Sequence, residues 1–296
     1  MMGRVATDGQ ISLEELNLAR QELLQLAAGL VQDGSENDST ATFQVLEKIL
    51  GADVCQRVGI YPIPETFTLS VVIPVYNEVA TLEKVIQRVR DTGLQQEIIL
   101  IDDGSTDGTR ELLEELRSQE DLKILMHEFN RGKGAALITG FCEATGDVVV
   151  IQDADMEYNP DEFRWLLQPI LEDRADVVYG SRFSAPDHVV SPGWHQAANQ
   201  FITWFCNLVT RLRFTDVETC YKMFRRELIQ ELAPTLKENR FGIEIEMTAR
   251  LARQRKVRFY ERPISYARRS YAEGKKIGWR DGVRALWCIV RYGFGR

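Results

Sequence analysis

The run Val148-Val149-Val150-Ile151-Gln152-Asp153-Ala154-Asp155 passes from four branched apolar residues to two acids within a few positions. Such an unbroken Val/Ile run predicts a strand covered on both faces, as in parallel sheets with helices on each side. It delivers Asp153 and Asp155 at its carboxyl end, where open α/β sheets bind ligands. Residues two apart in an extended chain point the same way, so both carboxylates are expected to face one crevice. Two acids held together favour a shared hard cation, and Mg2+ typically takes one or two carboxylates plus substrate phosphates. Taken alone, the pair reads equally well as two solvated turn acids.

The flanking sequence alternates strand and helix. Leu69–Val75, Glu97–Asp102 and Leu122–Met126 read as strands, with helices at Thr81–Arg90, Thr109–Leu116 and Gly134–Ala144 between them and the strand of the acids, Asp147–Gln152. After it, Asn159-Pro160-Asp161-Glu162 supplies an N-cap, a proline at the first helical position and first-turn acids. Asp176–Gly180 reads as a further strand. Repeated β-α units predict an α/β fold with a doubly wound, mainly parallel sheet. The last third is more helical, at Gln196–Leu212, Arg226–Leu232, Ile243–Arg255 and Arg280–Tyr292.

Residues 1–68 read as a helical N-terminal extension and linker, distinct from a domain of residues 69–296. Ser12-Leu13-Glu14-Glu15 is a capping box, and Leu13, Leu16, Leu23, Leu24, Ala27 and Leu30 follow helical spacing. Asp33 to Thr42 is polar, Phe43 to Leu50 reads as a second short helix, and Pro62 and Pro64 end regular structure before the main domain.

The chain has 296 residues, 44% of them hydrophobic, enough for a substantial core. Its five scattered cysteines form no C-x-x-C pair, which argues against a disulfide framework or zinc site and suits a reducing cytosol. No signal peptide and no transmembrane run is expected. The net charge of −8 conceals an asymmetry, because residues 251–296 hold 13 Lys/Arg against 3 Asp/Glu. This basic helical C-terminal segment points to an anionic partner, a phosphate or membrane surface; no nucleic-acid motif accompanies it.

The other strand ends carry Pro74-Val75-Tyr76-Asn77-Glu78 and Asp102-Asp103-Gly104-Ser105-Thr106-Asp107-Gly108. Acids there are suited to a nucleobase edge or ribose hydroxyl, and the glycines to tight turns. Neither G-x-G-x-x-G nor a P-loop is present. Gly132-Lys133-Gly134 reads as a basic helix-start turn or a nucleotide contact. His195 is an acceptor-phosphate or helix-start histidine, and Glu244 and Glu246 are catalytic or dipole-complementing acids. His127 reads as structural; Tyr179, Trp194 and Trp204 read as residues that pack the fold or shape a lipid entrance.

Four of these motifs in order, Val72 to Glu78, Asp102 to Asp107, Asn130 to Gly134 and Asp153-Ala154-Asp155, resemble the family 2 glycosyltransferases of the GT-A fold. The resemblance runs from residue 69 to about residue 290. Gly180-Ser181-Arg182-Phe183 and the segment Arg269 to Lys275 are similar to the polyprenyl-phosphate hexosyltransferases, the dolichol-phosphate and undecaprenyl-phosphate mannosyl- or glucosyltransferases. The resemblance implies that Pro74, Tyr76, Glu78, Ile101 and Asp103 contact the nucleoside. It implies that Asp153 and Asp155, with Ala154 between them, hold the Mg2+ or Mn2+ or the diphosphate, that Glu157 adds a carboxylate that either joins the metal or faces away from it, and that Arg182, Arg269 and Lys275 surround the phosphates. Two departures stand out: Glu157 replaces a frequent Gln, and His195 and Asn199 stand where the mannosyl type often has Arg and Ser.

The implied reaction moves mannose or glucose from GDP-mannose or UDP-glucose to polyprenyl phosphate with inversion. Rival readings are a glycan or small-molecule acceptor and a non-catalytic nucleotide-sugar scaffold. The expected location is cytoplasmic and peripheral at the inner membrane face. There Val283, Leu286, Trp287 and Val290 share one helix face beside Arg280, Arg284 and Arg291. The competing reading of that stripe is that it docks the helix on the sheet.

Overall fold

In a computed structural model, the described residues are 13–30, 39–184, 193–254, 256–267 and 279–294. They fall into two compact units that divide between Thr66 and Phe67. The first contains helices α1 (Leu13–Leu30), α2 (Ser39–Leu50) and α3 (Ala52–Arg57). Ala27, Leu46, Cys55 and Ile60 form its buried cluster, with Leu23, Leu24 and Phe43 packed on it. Arg20 Nε donates to the Val58 carbonyl at 2.6 Å, tying α1 to the turn after α3. The leucine spacing of α1 was legible; α3, only six residues long, was not.

The second unit is built on a seven-stranded sheet. Its strands are β1 (Leu69–Val75), β2 (Gln96–Asp102), β3 (Leu122–Met126), β4 (Val148–Ile151), β5 (Val177–Ser181), β6 (Lys222–Arg225) and β7 (Phe259–Pro263). The helices between them are α4 (Leu82–Asp91), α5 (Thr109–Leu116), α6 (Lys133–Glu143), α7 (Phe163–Leu171), α8 (Gly193–Thr210), α9 (Arg226–Leu232) and α10 (Ile243–Ala252); α11 (Trp279–Gly293) follows β7. The spatial order is β3-β2-β1-β4-β6-β5-β7. β1 pairs in parallel with β2 on one side and β4 on the other. The chain therefore winds outward from β1 through β2 and β3 and returns to the far side of β1 as β4. That reversal opens a crevice at the carboxyl ends of β1 and β4, the place where such sheets bind ligands.

β4 is buried along its whole length, as its apolar run demands. β6 pairs antiparallel with both β4 and β5. Neither β6 nor β7 was anticipated; both are short and less apolar than β4. The capped turn at Asn159 is present, with the Asn159 side chain accepting from Asp161 N, but its first turn is a 3-10 turn before α7 begins.

α11 presents one apolar face inward and another outward. Ala285, Cys288, Ile289 and Tyr292 are buried, while Val283, Trp287 and Val290 are exposed. The stripe singled out from the sequence is thus not the one that docks; only its Leu286 is half-buried. On α8, Phe201, Trp204 and Leu208 are likewise exposed, so Trp204 is not a packing residue. Tyr179 is: it is fully buried and stacked on Phe214 at 4.5 Å. Among the described residues no helix is long and apolar enough to cross a membrane.

Candidate active site

The loops after β1 and β2 are stitched together by side chain to backbone hydrogen bonds. Asn77 N donates to Ser105 Oγ at 2.9 Å, and Thr106 N donates to Asn77 Oδ1 at 2.8 Å. Asn77 sits at φ 55°, a left-handed conformation that Asn tolerates better than most residues. Glu78 N donates to Thr109 Oγ1 at 3.1 Å. Thr81 Oγ1 lies 3.0 Å from Glu78 Oε2 and 2.9 Å from the Ala154 carbonyl, joining the β1 loop to the β4 loop. Pro74, Tyr76 and Glu78 are all half-buried along this rim.

Asp102 and Asp103 are both buried. Asp102 accepts from Gly104 N and Ser105 N and pairs with Arg110 at 3.2 Å. Asp103 binds the segment that follows β3: Oδ1 accepts from Arg131 N at 2.9 Å, Oδ2 accepts from Gly132 N at 2.7 Å, and Oδ1 lies 2.8 Å from His127 Nδ1. Its carboxylate thus shapes the 127–132 loop, and His127 is the structural histidine expected. Gly132 has φ 102°, and a Cβ there would collide with the Asn239 carbonyl, so the turn into α6 needs glycine. Ile101, expected beside the nucleoside, corrects that reading for its side chain. It is fully buried within β2, and its Cδ1 lies against Gly140 of α6. Strand alternation sends it into the helix layer.

That turn delivers Lys133 to the first acid. Lys133 Nζ lies 2.8 Å from Asp153 Oδ1 and 3.6 Å from Glu244 Oε1. Burial by itself would lower the Lys133 pKa, but attraction to Asp153 and Glu244 carries it well above the ordinary value, so it stays an ammonium. Lys222, fully buried, holds Glu244 Oε2 at 2.6 Å. Glu244 therefore bridges two lysines rather than standing free as a base. Glu246 accepts from Lys237 N, Glu238 N and Arg250 Nε, a structural role.

Asp155 Oδ1 accepts from Glu157 N at 3.0 Å, which curls the chain just beyond the strand. β4 ends at Ile151, and residues 154–158 bend, so extended alternation no longer aligns residues two apart. Glu157 has a partner within the protein. Its Oε2 is bound by Tyr266 OH at 2.9 Å, and among the described residues no three His, Cys, Asp or Glu side chains gather as a metal-binding group. The acids present remain a suitable donor set. Asp153 and Asp155 carry hard oxygen donors of the kind that Mg2+ or Mn2+ takes alongside those of a diphosphate.

Arg182 occupies the far wall. Its Nε and Nη2 form a forked pair with Asp216 at 2.6 and 2.9 Å, and its guanidinium lies 5.2 Å from the Tyr266 ring centre. Asn199 Nδ2 reaches the same Asp216 at 3.5 Å. The expected phosphate cation is thus already neutralised, and phosphate contact would require sharing it with Asp216. Beside it, Glu218 is pushed up to about 7 by burial, with Arg182 opposing the shift. Asp216, Glu218, Lys222 and Tyr266 escaped the sequence reading because no local motif marks them. Arg269 and Lys275 lie outside the described residues, as does the side chain of His195.

The profile of the family described as Glycosyl transferase family 2 matches residues 70–233. The chain belongs to glycosyltransferase family 2. It is 29% identical over 231 residues to an undecaprenyl-phosphate mannosyltransferase of Micrococcus luteus, covering 75% of this chain and 92% of that protein. It is 38% identical over 117 residues to a dolichol-phosphate mannosyltransferase of Pyrococcus furiosus, covering 39% of this chain but only 33% of that one. The fold is similar to that of glucosyl-3-phosphoglycerate synthase of Mycobacterium tuberculosis, solved with Mn2+, UDP and phosphoglyceric acid. That likeness has a TM-score of 0.54 at 22% identity and covers 77% of this chain and 79% of the other. The mainly parallel α/β sheet is accordingly a GT-A sheet, with β6 its antiparallel member.

Proposed function

We propose that this family 2 glycosyltransferase moves a hexose, mannose or glucose, from a nucleotide-sugar to polyprenyl phosphate with inversion at the anomeric carbon. The observation that carries the reading is Asp153 and Asp155 just beyond the β4 end, with the half-buried cation Lys133 on Asp153, at the sheet's reversal point. The match to nearly the whole Micrococcus enzyme supports the acceptor class.

Asp153 and Asp155 would hold the Mg2+ or Mn2+, with Glu157 left to Tyr266. A divalent cation bound there supplies charge stabilisation to the departing nucleoside diphosphate. Lys133 brings a point charge on a flexible stem to the same place, and the low solvent exposure of the crevice strengthens its effect. Asp103 contributes by holding the 127–132 loop, which sets where Lys133 enters. The acceptor needs no dedicated base, because a phosphate monoester has a second pKa of about 6 and is mostly dianionic at neutral pH. Its attack opposite the leaving diphosphate inverts the anomeric centre.

The exposed apolar residues of α8 and α11, two helices that pack on one another, support a peripheral membrane location. Phe201, Trp204 and Leu208 fall on one face of α8, and Val283, Trp287 and Val290 on one face of α11, with exposed Phe294 just beyond its end. An interfacial helix pair presents such a surface to lipid.

A panel of GDP-mannose and UDP-glucose with a short polyprenyl phosphate, followed by mass spectrometry of the lipid, tests the assignment. A lipid-phosphate hexose is expected with one donor. Transfer only to a glycan or a water-soluble acceptor would replace this reading.

A further inference from the structure

A cavity of about 300 Å3 is lined by Pro234, Thr235, Lys237, Arg250, Arg253, Arg291 and Tyr292. Four of its seven lining residues are cations and none is an acid. It lies where the turn after α9 meets the last turns of α10 and α11. Glu244, the α10 residue that faces Lys133, is nine positions before Arg253, which places the two ends about 13 Å apart along the helix.

The floor is preorganised. The Tyr292 ring lies between two guanidiniums, 5.1 Å from that of Arg250 and 5.7 Å from that of Arg291. Its hydroxyl donates to Glu238 Oε1 at 2.9 Å, and Glu238 is in turn balanced by Arg284. Arg253 Nη1 reaches the Tyr292 carbonyl at 3.4 Å. Glu246 offsets the cluster from behind: it is fully buried and bonded to Arg250 at 2.7 Å.

Charge decides what this cavity takes. Two helix ends of roughly half a negative charge each, together with Glu246, amount to about two negative charges, set against four cations in a lining that contains no acid. The helix ends explain cations at Arg250 and Arg291, but not Lys237, which enters from the connecting segment. Thr235 Oγ1 already donates to the Leu232 carbonyl at 2.7 Å, so the donors facing the cavity are the Arg forks and the Lys ammonium. Planar forks plus a point charge match a tetrahedral oxyanion.

We propose that this cavity is a second anion site, separate from the catalytic crevice, that binds a phosphate group. Arg291 shares α11 with the exposed Val290, and exposed Phe294 follows the helix, so a phospholipid headgroup and a soluble phosphate are the two sources to separate. The test compares Lys237→Gln/Arg291→Gln with Lys84→Gln/Arg213→Gln, a charge-matched control at exposed positions outside the cavity, and with Lys133→Met, which alters the catalytic crevice. One arm is calorimetry with inorganic phosphate. The other is sedimentation with phosphatidylcholine vesicles containing phosphatidic acid. The cavity variant should lose roughly 30-fold in affinity in at least one arm, while the control changes by about threefold or less. Loss in the vesicle arm alone assigns the site to a headgroup, and loss in both arms makes it a general phosphate site. Phosphate binding abolished by Lys133→Met but kept in the cavity variant overturns the proposal. So does equal behaviour of the cavity variant and the control in both arms, with circular dichroism showing all variants folded.

Discussion

Lys133→Met removes the cation that holds Asp153 and keeps a side chain of similar length. At 2.8 Å and an effective dielectric constant of about 20, the gross attraction is about 6 kcal/mol. Desolvation of two groups that are 17% and 19% exposed takes back most of it, leaving a net pair energy of about 1–3 kcal/mol. A divalent cation arriving at Asp153 has to displace this ammonium and forfeits that energy. The variant is therefore expected to bind Mn2+ about 5–150-fold more tightly without donor, while turnover falls because a charge beside the leaving group is gone. Glu244 keeps Lys222, so the fold should persist with a modest loss of stability. Mn2+ affinity is read by calorimetry or electron paramagnetic resonance, independently of turnover. Unchanged or weaker Mn2+ binding in a folded variant would refute the view that Lys133 and the metal compete for Asp153.

Asp155→Asn keeps an oxygen to accept from Glu157 N but loses the charge, so transfer should drop by roughly 100-fold or more with little change in melting temperature; near-normal transfer, in the variant or in chelator-treated enzyme, would remove the metal role. Glu218 sits near 7 when folded and near the usual carboxylate range when unfolded, so the folded state binds the extra proton and stability declines as pH rises from about 4.5 to about 7. Glu218→Gln should therefore match the native chain at pH 4 and exceed it at pH 8 by about 1–3 kcal/mol, and a difference that is flat across that range in urea unfolding counts against the assignment. Replacing Trp204 and Trp287 by Ser should change stability by only about 0.5 kcal/mol each, since both are exposed, yet weaken sedimentation with anionic vesicles; unaltered binding would detach these helices from the membrane.

Local pattern alone determined a good part of this protein. The apolar runs of β1 to β5, the spacing in α4 to α6 and the acids closing β2 and β4 are periodic or punctuated features, readable because covalent geometry ties neighbours to fixed directions. The ordered motifs from Val72 to Asp155 were enough to point to the family. Tertiary structure decided which partner each charge meets. Asp103 and the amides of Arg131 and Gly132 are 28 and 29 positions apart, and Arg182 and Asp216 are separated by 34; no local rule couples residues at such distances. The same limit explains Glu157, whose partner Tyr266 is 109 positions away. It also explains α11, which is apolar on more than one face. Its sequence offers Val283, Trp287 and Val290 as readily as Ala285, Cys288 and Ile289, and only packing against α8 and α10 selects the second set for the interior. Burial is a property of what lies opposite a side chain, and that is fixed only when the distant segments have come together.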